Sequence, residues 1–264
     1  MTEATAQTPA QPQQGEPLLR LAGIGKNFGP VRALSDIDLD IPAGQVTALL
    51  GDNGAGKSTL IKCVSGIHQP DHGEMYWQGK QIHLHSPKDA TNLGIATVYQ
   101  DLALADNLDI VANMFLGNEL ERGFALDEIK MELAAKKTLA DLKVVTVRSV
   151  RQAVGSLSGG QRQSVAVAKA IMRDAKLVIM DEPTAALGVT QTQNVLDLIK
   201  TLASQDIGVL VISHNLIDVM AVADRLAVLY LGTMAAVGPK DEFDNQSVVE
   251  LMTTGTTTRA GSPR

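Results

Sequence analysis

The segment "GDNGAGKST", from Gly51 to Thr59, directly follows the apolar run "VTALL" and leads into a helical pattern at 57–66. Glycine permits the tight turns that point successive backbone N–H groups at one place, where they bind phosphate oxygens. At this spacing the lysine reaches the β- and γ-phosphates of a nucleotide, and the next hydroxyl binds Mg²⁺. The alternative to a phosphate-binding loop is a strand-to-helix turn without a ligand. The predicted nucleotide-binding residues here are Gly51, Asp52, Asn53, Gly54, Ala55, Gly56, Lys57, Ser58 and Thr59.

A second segment supplies acids that suit a bound nucleotide. In "LVIMDEPT", residues 177–184, an apolar strand ends in Asp181 and Glu182. Asp181 is predicted to hold Mg²⁺, and Glu182 to orient and deprotonate the attacking water. Two carboxylates after a strand could instead cap a following helix. The phosphate-loop pattern elsewhere in the chain favours the catalytic interpretation.

Apolar runs and helical patterns alternate along much of the chain. Such alternation predicts an α/β domain with a parallel sheet, in which ligands bind at the carboxyl ends of the strands. The predicted strands are 46–50, 176–180, 208–212 and 226–231, and the predicted helices are 57–66, 159–173, 190–204 and 215–223.

Two regions differ from that alternation. Residues 18–47 and 68–99 contain β-forming residues and a hairpin signal around Gly79, which predict an antiparallel β subdomain. Residues from about 104 to 157 form a predicted helical subdomain, in which Ile129, Leu133 and either Leu139 or Ala140 can share one helix face. A single domain is expected at 18–252, with disordered tails at 1–17 and 253–264.

The overall composition excludes some classes of function. The net charge of −6 disfavours a nucleic-acid partner. The single cysteine, Cys63, suits a reducing compartment and is expected to be a buried apolar residue. Neither a secretory signal nor an apolar run of membrane-spanning length is recognised, so a cytoplasmic location is predicted. His68, His72, His83 and His85 lack ligand spacing and are expected in turns or on the surface.

A second glycine-rich helix start lies in "SLSGGQRQ", at Ser158, Gly159, Gly160 and Gln161. A helix terminus contributes typically about 0.3–1 kcal/mol to a nearby anion, and up to ~2 kcal/mol in a favourable site. Micromolar affinity requires about 8 kcal/mol. This second start therefore cannot hold a nucleotide by itself.

Three motifs, taken in their order along the chain, resemble those of the ATP-binding cassette (ABC) ATPases. They are the phosphate loop at 51–58, "LSGGQRQ" at 157–163 and "VIMDEPT" at 178–184. The resemblance implies a P-loop NTPase fold with a RecA-like parallel-sheet core. It also implies that Ser158, Gly159, Gly160 and Gln161 close over the ATP bound to a second, head-to-tail copy of the chain.

The resemblance implies three further roles. Phe28, in "KNFGPVRAL", would stack on adenine; Gln100, in "VYQDLAL", would reach Mg²⁺ and the attacking water; and His214, in "VISHNL", would contact the γ-phosphate. From the residues alone, Phe28 could instead be a core aromatic. Gln100 and His214 could be ordinary polar residues at strand ends.

Within that family, the chain is most similar to ATPases of monosaccharide importers, with fructose, ribose or xylose as candidate sugars. This narrower resemblance rests on "MDEPTAALGV", "VYQDLAL" and "NMFLG". The implied partners are transmembrane permease subunits and, indirectly, an extracytoplasmic sugar-binding protein, with this chain peripheral on the inner face of the membrane. Gly188 stands where the family commonly has an aspartate. A non-transport cassette ATPase and a non-hydrolysing nucleotide sensor remain alternatives.

Overall fold

The computed structural model describes residues 16–144 and 146–257. Residues 1–15 of the tail predicted at 1–17, and residues 258–264 of the tail predicted at 253–264, lie outside the described residues. The strands are β1 (Leu19–Phe28), β2 (Val31–Ile41), β3 (Val46–Leu50), β4 (His72–Trp77), β5 (Lys80–Ile82), β6 (Ile95–Val98), β7 (Glu121–Arg122), β8 (Ala125–Leu126), β9 (Leu177–Asp181), β10 (Gly208–Ile212), β11 (Arg225–Tyr230) and β12 (Thr233–Pro239). The α-helices are α1 (Lys57–Val64), α2 (Pro87–Leu93), α3 (Ile110–Phe115), α4 (Glu128–Asp141), α5 (Gly159–Ile171), α6 (Val189–Ser204), α7 (Leu216–Val222) and α8 (Asn245–Thr254).

The central sheet has the strand order β12-β11-β3-β10-β9-β6. All neighbouring pairs are parallel except β11 with β12. Strands β3 and β10 are buried along their whole length, which explains why "VTALL" and "GVLVI" are uniformly apolar or small instead of alternating. The predicted parallel sheet and its α/β class are confirmed.

A second, antiparallel sheet has the order β2-β1-β4-β5, in the regions predicted to form a β subdomain. The β prediction for 68–99 was wrong in its last part. Residues 87–93 form helix α2, and β6 joins the parallel sheet beside β9. Ser86 and Asp89 form a capping box, Pro87 opens the helix and Gly94 ends it in a left-handed conformation.

Helices α3 and α4 form the helical subdomain and pack against α5. The buried face of α4 carries Met131, Ala135 and Leu139, whereas Ile129 and Leu133 are exposed. Ile129 and Leu133 thus share one face, as predicted, but that face is exposed and Leu139 belongs to the buried one. These two residues lie about 200° around the helix from Met131, so the apolar residues of α4 occupy two opposite faces and only one of them packs.

Three groups of buried side chains hold these layers together. One lies between the helical subdomain and one face of the central sheet, a second between that sheet and the antiparallel sheet, and a third under α8. Cys63 is buried in the second group, and burial raises the pKa of its thiol to about 11. Helix α8 continues past the boundary predicted at 252 and ends before the left-handed Gly255. None of the helices in the described ranges is both long and apolar enough to cross a bilayer.

Candidate nucleotide-binding site

The predicted catalytic residues lie at one edge of the central sheet. Strands β3, β10, β9 and β6 are adjacent and parallel, so their carboxyl ends lie at the same edge. Gly51 follows β3, Gln100 follows β6 by two residues, Asp181 ends β9, and His214 follows β10. Residues far apart in the sequence are thus brought to one place by strand order.

The phosphate loop has a backbone that only glycine accepts at two of its positions. Gly51 has φ +154°, and a Cβ there would lie 2.4 Å from the carbonyl oxygen of Leu229. Gly56 has φ +106°, and a Cβ there would lie 2.7 Å from the carbonyl oxygen of Ala33. Gly56 is also the N-cap of α1, and its lack of a side chain leaves the first N–H groups of the helix open to an anion.

Lys57 is folded back on this loop. Its Nζ donates to the carbonyl oxygens of Gly51, at 2.7 Å, and Asp52, at 3.0 Å. Burial lowers the pKa of Lys57, and the nearby charges of Glu182, Asp52 and Asp181 partly oppose that shift. The ammonium group is therefore partly desolvated and close to the acids that follow β9.

Asp181 shows the reciprocal effect. Burial raises its pKa first, and repulsion from Glu182 raises it further, while Lys57 and Lys62 act in the opposite direction. Two carboxylates at neighbouring positions in a partly buried place favour an added cation.

Glu182 is held in an uncommon backbone conformation. Its φ is +50°, a left-handed value for a non-glycine residue, and its N–H donates to the carbonyl oxygen of Ile212 at 2.8 Å. Its Oε1 lies 2.7 Å from Nδ1 of His214. Because an ionised carboxylate can only accept, His214 is the donor in this bond when Glu182 is ionised. Sequence analysis selected both residues but had no signal for their pairing, since they are far apart in the chain.

A cleft of about 480 Å³ opens beside the phosphate loop. Residues 31–33 form part of its wall, and the sequence analysis had not selected them. Phe28 and Val31 are direct cross-strand partners at the end of the β1–β2 hairpin, so their side chains share one face of the sheet. Both side chains are exposed, at 44% and 62%. Phe28 is therefore not a core aromatic, and with Val31 it presents an apolar surface next to the loop.

The second glycine-rich helix start has a different construction. The Oγ of Ser158 accepts from the N–H of Gln161, and the side chain of Gln161 accepts from the N–H of Ser158. The Nε2 of Gln161 also donates to the carbonyl oxygen of Thr146 at 2.6 Å. A Cβ at Gly159 would lie 2.7 Å from Cδ2 of Leu187, so the segment after β9 packs closely against this helix start.

Residues 34–185 match the family model described as "ABC transporter". This chain belongs to the ABC transporter family. Membership confirms the family resemblance, the fold class and the prediction of an ATP-hydrolysing subunit, and it agrees with ATP as the bound nucleotide.

Similar proteins carry related names. The chain is 46% identical over 236 residues to a xylose/arabinose import ATP-binding protein of Sulfolobus acidocaldarius, covering 89% of this chain and 94% of that protein. It is 45% identical to a fructose import ATP-binding protein of Rhizobium meliloti, covering 90% and 94%. A ribose import ATP-binding protein of Rubrobacter xylanophilus is 40% identical, but this chain covers only 48% of its length.

A solved ABC transporter cassette in its ADP conformation superposes with a TM-score of 0.76 at 27% identity. The match covers 90% of this chain and 95% of the cassette. A nucleotide-free cassette superposes with a TM-score of 0.73 at 28% identity, covering 84% of this chain and 91% of the cassette. The architecture described above is thus that of an ABC cassette.

Proposed function

We propose that this chain hydrolyses ATP at the sheet edge in a head-to-tail dimer, and that the dimer drives monosaccharide import through permease subunits. The observation that carries the proposal is the convergence of Lys57, Asp181, Glu182 and His214 at the carboxyl ends of three adjacent parallel strands. A sensor that does not hydrolyse nucleotide would not require a carboxylate held against a histidine beside the phosphate lysine.

Binding is assigned to the loop and the hairpin. The N–H groups of residues 51–59 surround the phosphates, and Lys57 exchanges the carbonyl oxygens of Gly51 and Asp52 for phosphate oxygens. Phe28 and Val31 cover the adenine. Ser58, Asp181 and Gln100 are the proposed Mg²⁺ ligands, directly or through water. Their oxygen donors suit this cation, and the raised pKa of Asp181, caused by burial and then by Glu182, agrees with a place where an added cation would stabilise the carboxylate. Bound Mg²⁺ would neutralise charge on the β- and γ-phosphates.

The hydrolytic step is assigned to Glu182 and His214. The Glu182 carboxylate orients a water and takes its proton as the water oxygen bonds to the γ-phosphorus. The bond from that phosphorus to the bridging oxygen breaks, which gives ADP and phosphate. His214 holds Glu182 through the 2.7 Å contact. Its ring is also proposed to contact the γ-phosphate.

The second helix start is proposed to complete the site of the partner copy. Ser158, Gly159, Gly160 and Gln161 would contact the γ-phosphate held by the other chain, so ATP favours the closed dimer and hydrolysis releases it. Changing the closed population from 1:99 to 99:1 requires about 5.5 kcal/mol. Two ATP molecules can each supply part of this free energy, because each dimer has two such sites.

A separate cleft of about 190 Å³ supports the permease assignment. It lies between β6, the loop after Gln100, and α5, and Lys169 and Arg173 line it. Burial first, and then Arg173, lowers the pKa of Lys169. The segment from Gln100 to about Gly117 is proposed to receive a helix of the permease. The chain would then lie on the cytoplasmic face of the membrane, with sugar delivered by an extracytoplasmic binding protein.

The names of similar proteins support import and a monosaccharide, while fructose, ribose and xylose remain separate candidates. Purification of the chain from membranes would recover the permease bound to it, and the sugar-binding protein that associates with that permease. A thermal-shift screen of that binding protein against monosaccharides is expected to select one sugar. Recovery of an exporter as the membrane partner would overturn the import proposal.

Glu182→Gln tests the hydrolytic role. The substitution keeps the shape of the side chain but removes its ability to take a proton, so turnover should fall by about 10²- to 10⁴-fold. The variant should still bind ATP and accumulate as a dimer in gel filtration with Mg²⁺ and ATP. Glu250→Gln, on α8, is the control and should keep normal phosphate release. Normal turnover in Glu182→Gln would refute the role.

A further inference from the structure

Phe28 lies at the tip of an exposed hairpin, yet two side chains contact its ring, one from two residues earlier in β1 and one from the chain after α1. The ring centroid of His68 lies 5.3 Å from that of Phe28, and the two ring planes form an angle of 70°. The Nζ of Lys26 lies 5.7 Å from the centroid of the Phe28 ring. Both distances fall within the ranges of edge-to-face aromatic pairs and of cation–π contacts, respectively.

Lys26 is itself fixed. Its Nζ donates to Oδ1 of Asp71 at 2.7 Å, and the other oxygen of Asp71 accepts from the N–H of Asn27 at 2.6 Å. The N–H of Asp71 also donates to the carbonyl oxygen of Gly25 at 2.8 Å. The side chain of Lys26 is only 16% exposed, so it is not a mobile surface lysine. Asp71 therefore binds both the backbone and the ammonium group of β1 just before Phe28.

His68 connects the ring to the phosphate loop. Its N–H donates to the carbonyl oxygen of Lys62 at 2.9 Å, which anchors it to the last turn of α1. Helix α1 begins at the phosphate loop. One rigid helix therefore carries the phosphate-binding N–H groups at its start and the histidine that touches Phe28 just beyond its end.

We propose that Lys26 and His68 are positioning residues for the nucleotide base, which hold the Phe28 ring so that its open surface meets adenine while the phosphates occupy the loop. The proposal rests on the proposed function, in which Phe28 stacks on adenine. An aromatic side chain at a hairpin tip would otherwise rotate about its side-chain bonds, and ordering it would reduce the gain from stacking. Stacking itself is tolerant of base identity, so the effect should apply to any purine nucleotide.

The test is a titration calorimetry series on the full chain with three probes: Mg·ATP, Mg·GTP and Mg·tripolyphosphate. Tripolyphosphate has no base and reports the phosphate loop alone. Lys26→Met and His68→Ala should each weaken binding of ATP and GTP by about three- to tenfold and leave tripolyphosphate unchanged. His68→Phe keeps an aromatic edge and should retain most of the affinity. His83→Ala, an exposed histidine elsewhere, is the control.

A double-mutant cycle separates positioning from general damage to the fold. In a Phe28→Ala background, His68→Ala and Lys26→Met should have no further effect on ATP affinity, since their action passes through the ring. Equal loss of tripolyphosphate binding, or full additivity with Phe28→Ala, would overturn the positioning proposal. If Phe28→Ala weakens ATP no more than tripolyphosphate, the adenine role of Phe28 in the proposed function itself fails.

Discussion

Glycine stands at the start of both α1 and α5, as the N-cap Gly56 and as the first helical residue Gly159, but the two first turns have opposite constructions. The N-cap of α1 is Gly56, in a left-handed conformation and without a side-chain cap. The N-cap of α5 is Ser158, in an extended conformation and joined to Gln161 by a capping box. The first start is open and is flanked by Lys57 and two carboxylates. The second is closed by its own side chains, and its contacts described above are with Thr146 and Leu187.

This difference explains why, under the proposed function, one helix start binds the nucleotide and the other contacts the nucleotide of the partner copy. The open start has the N–H groups, the lysine and the acids needed to bind and cleave a nucleotide. The closed start is a stable, uncharged end that, under the proposed function, would add a modest contact to an anion bound by the partner copy. The comparison therefore predicts that defects at the start of α1 abolish nucleotide binding by the monomer, whereas defects at the start of α5 leave that binding unchanged.

The largest expected contrast is between Gly56→Ala and Gly159→Ala. At Gly56 the added methyl meets the backbone oxygen of Ala33 in a left-handed conformation, so the loop cannot keep its shape. Binding of Mg·ATP to the monomer should be lost. At Gly159 the methyl meets only the end of the Leu187 side chain, which can rotate. Titration calorimetry should therefore find near-normal monomer affinity in Gly159→Ala. Equal losses in both variants would break the comparison.

A smaller effect is expected from removal of the α5 cap. Ser158→Ala removes the acceptor for the N–H of Gln161 and should lower the free energy of unfolding by about 1 kcal/mol. Ser158→Asp, which keeps a good capping side chain, should unfold near the wild-type denaturant midpoint. In both variants, ATP binding by the monomer should be unchanged. A loss of monomer binding in Ser158→Ala would mean that the two starts are not separate.

The smallest effect concerns the acids beside α1. The raised pKa of Asp181 means that the folded chain holds its proton more tightly than the unfolded chain, so stability declines as pH rises through the interval above its ordinary value of 3.8. Asp181→Asn removes this penalty. In nucleotide-free protein, its gain in Tm over wild type should be larger at about pH 7 than at about pH 4. Asp241→Asn, at an exposed position, is the control. A gain in Tm of Asp181→Asn that is the same at both pH values would contradict the raised pKa of Asp181.

Local chemistry explains which parts of this molecule the sequence could predict. The loop at 51–59 was predictable because its glycines, lysine and hydroxyl act within one short segment. The buried strands were predictable because both faces are apolar. Helix α2 was missed although its signals, Ser86, Pro87, Asp89 and Gly94, are local, because the β-forming residues before it dominated the interpretation.

Tertiary packing decided the rest. Nothing within α4 distinguishes Met131 from Leu133, since only the position of α3 and α5 determines which face is covered. The contact between Glu182 and His214 depends on β9 and β10 being neighbours. The contact of Phe28 with His68, and the ion pair of Lys26 with Asp71, depend on where the chain after α1 meets β1. The candidate catalytic residues could be chosen from motifs, but their pairing required the fold.

The most direct test of the account mixes two variants that are each inactive. Lys57→Ala disables the open start, and Ser158→Asp keeps the α5 cap while its charge repels the γ-phosphate. In a head-to-tail dimer, the mixed pair has both defects at one site and an intact second site. With Glu182→Gln added to both variants to prevent hydrolysis, slow-dissociating Mg·ATP, measured by rapid filtration, should therefore appear only on mixing, at one ATP per mixed dimer. If mixing leaves ATP retention at the level of the separate variants, the two helix starts do not meet across a dimer, and the central claim fails.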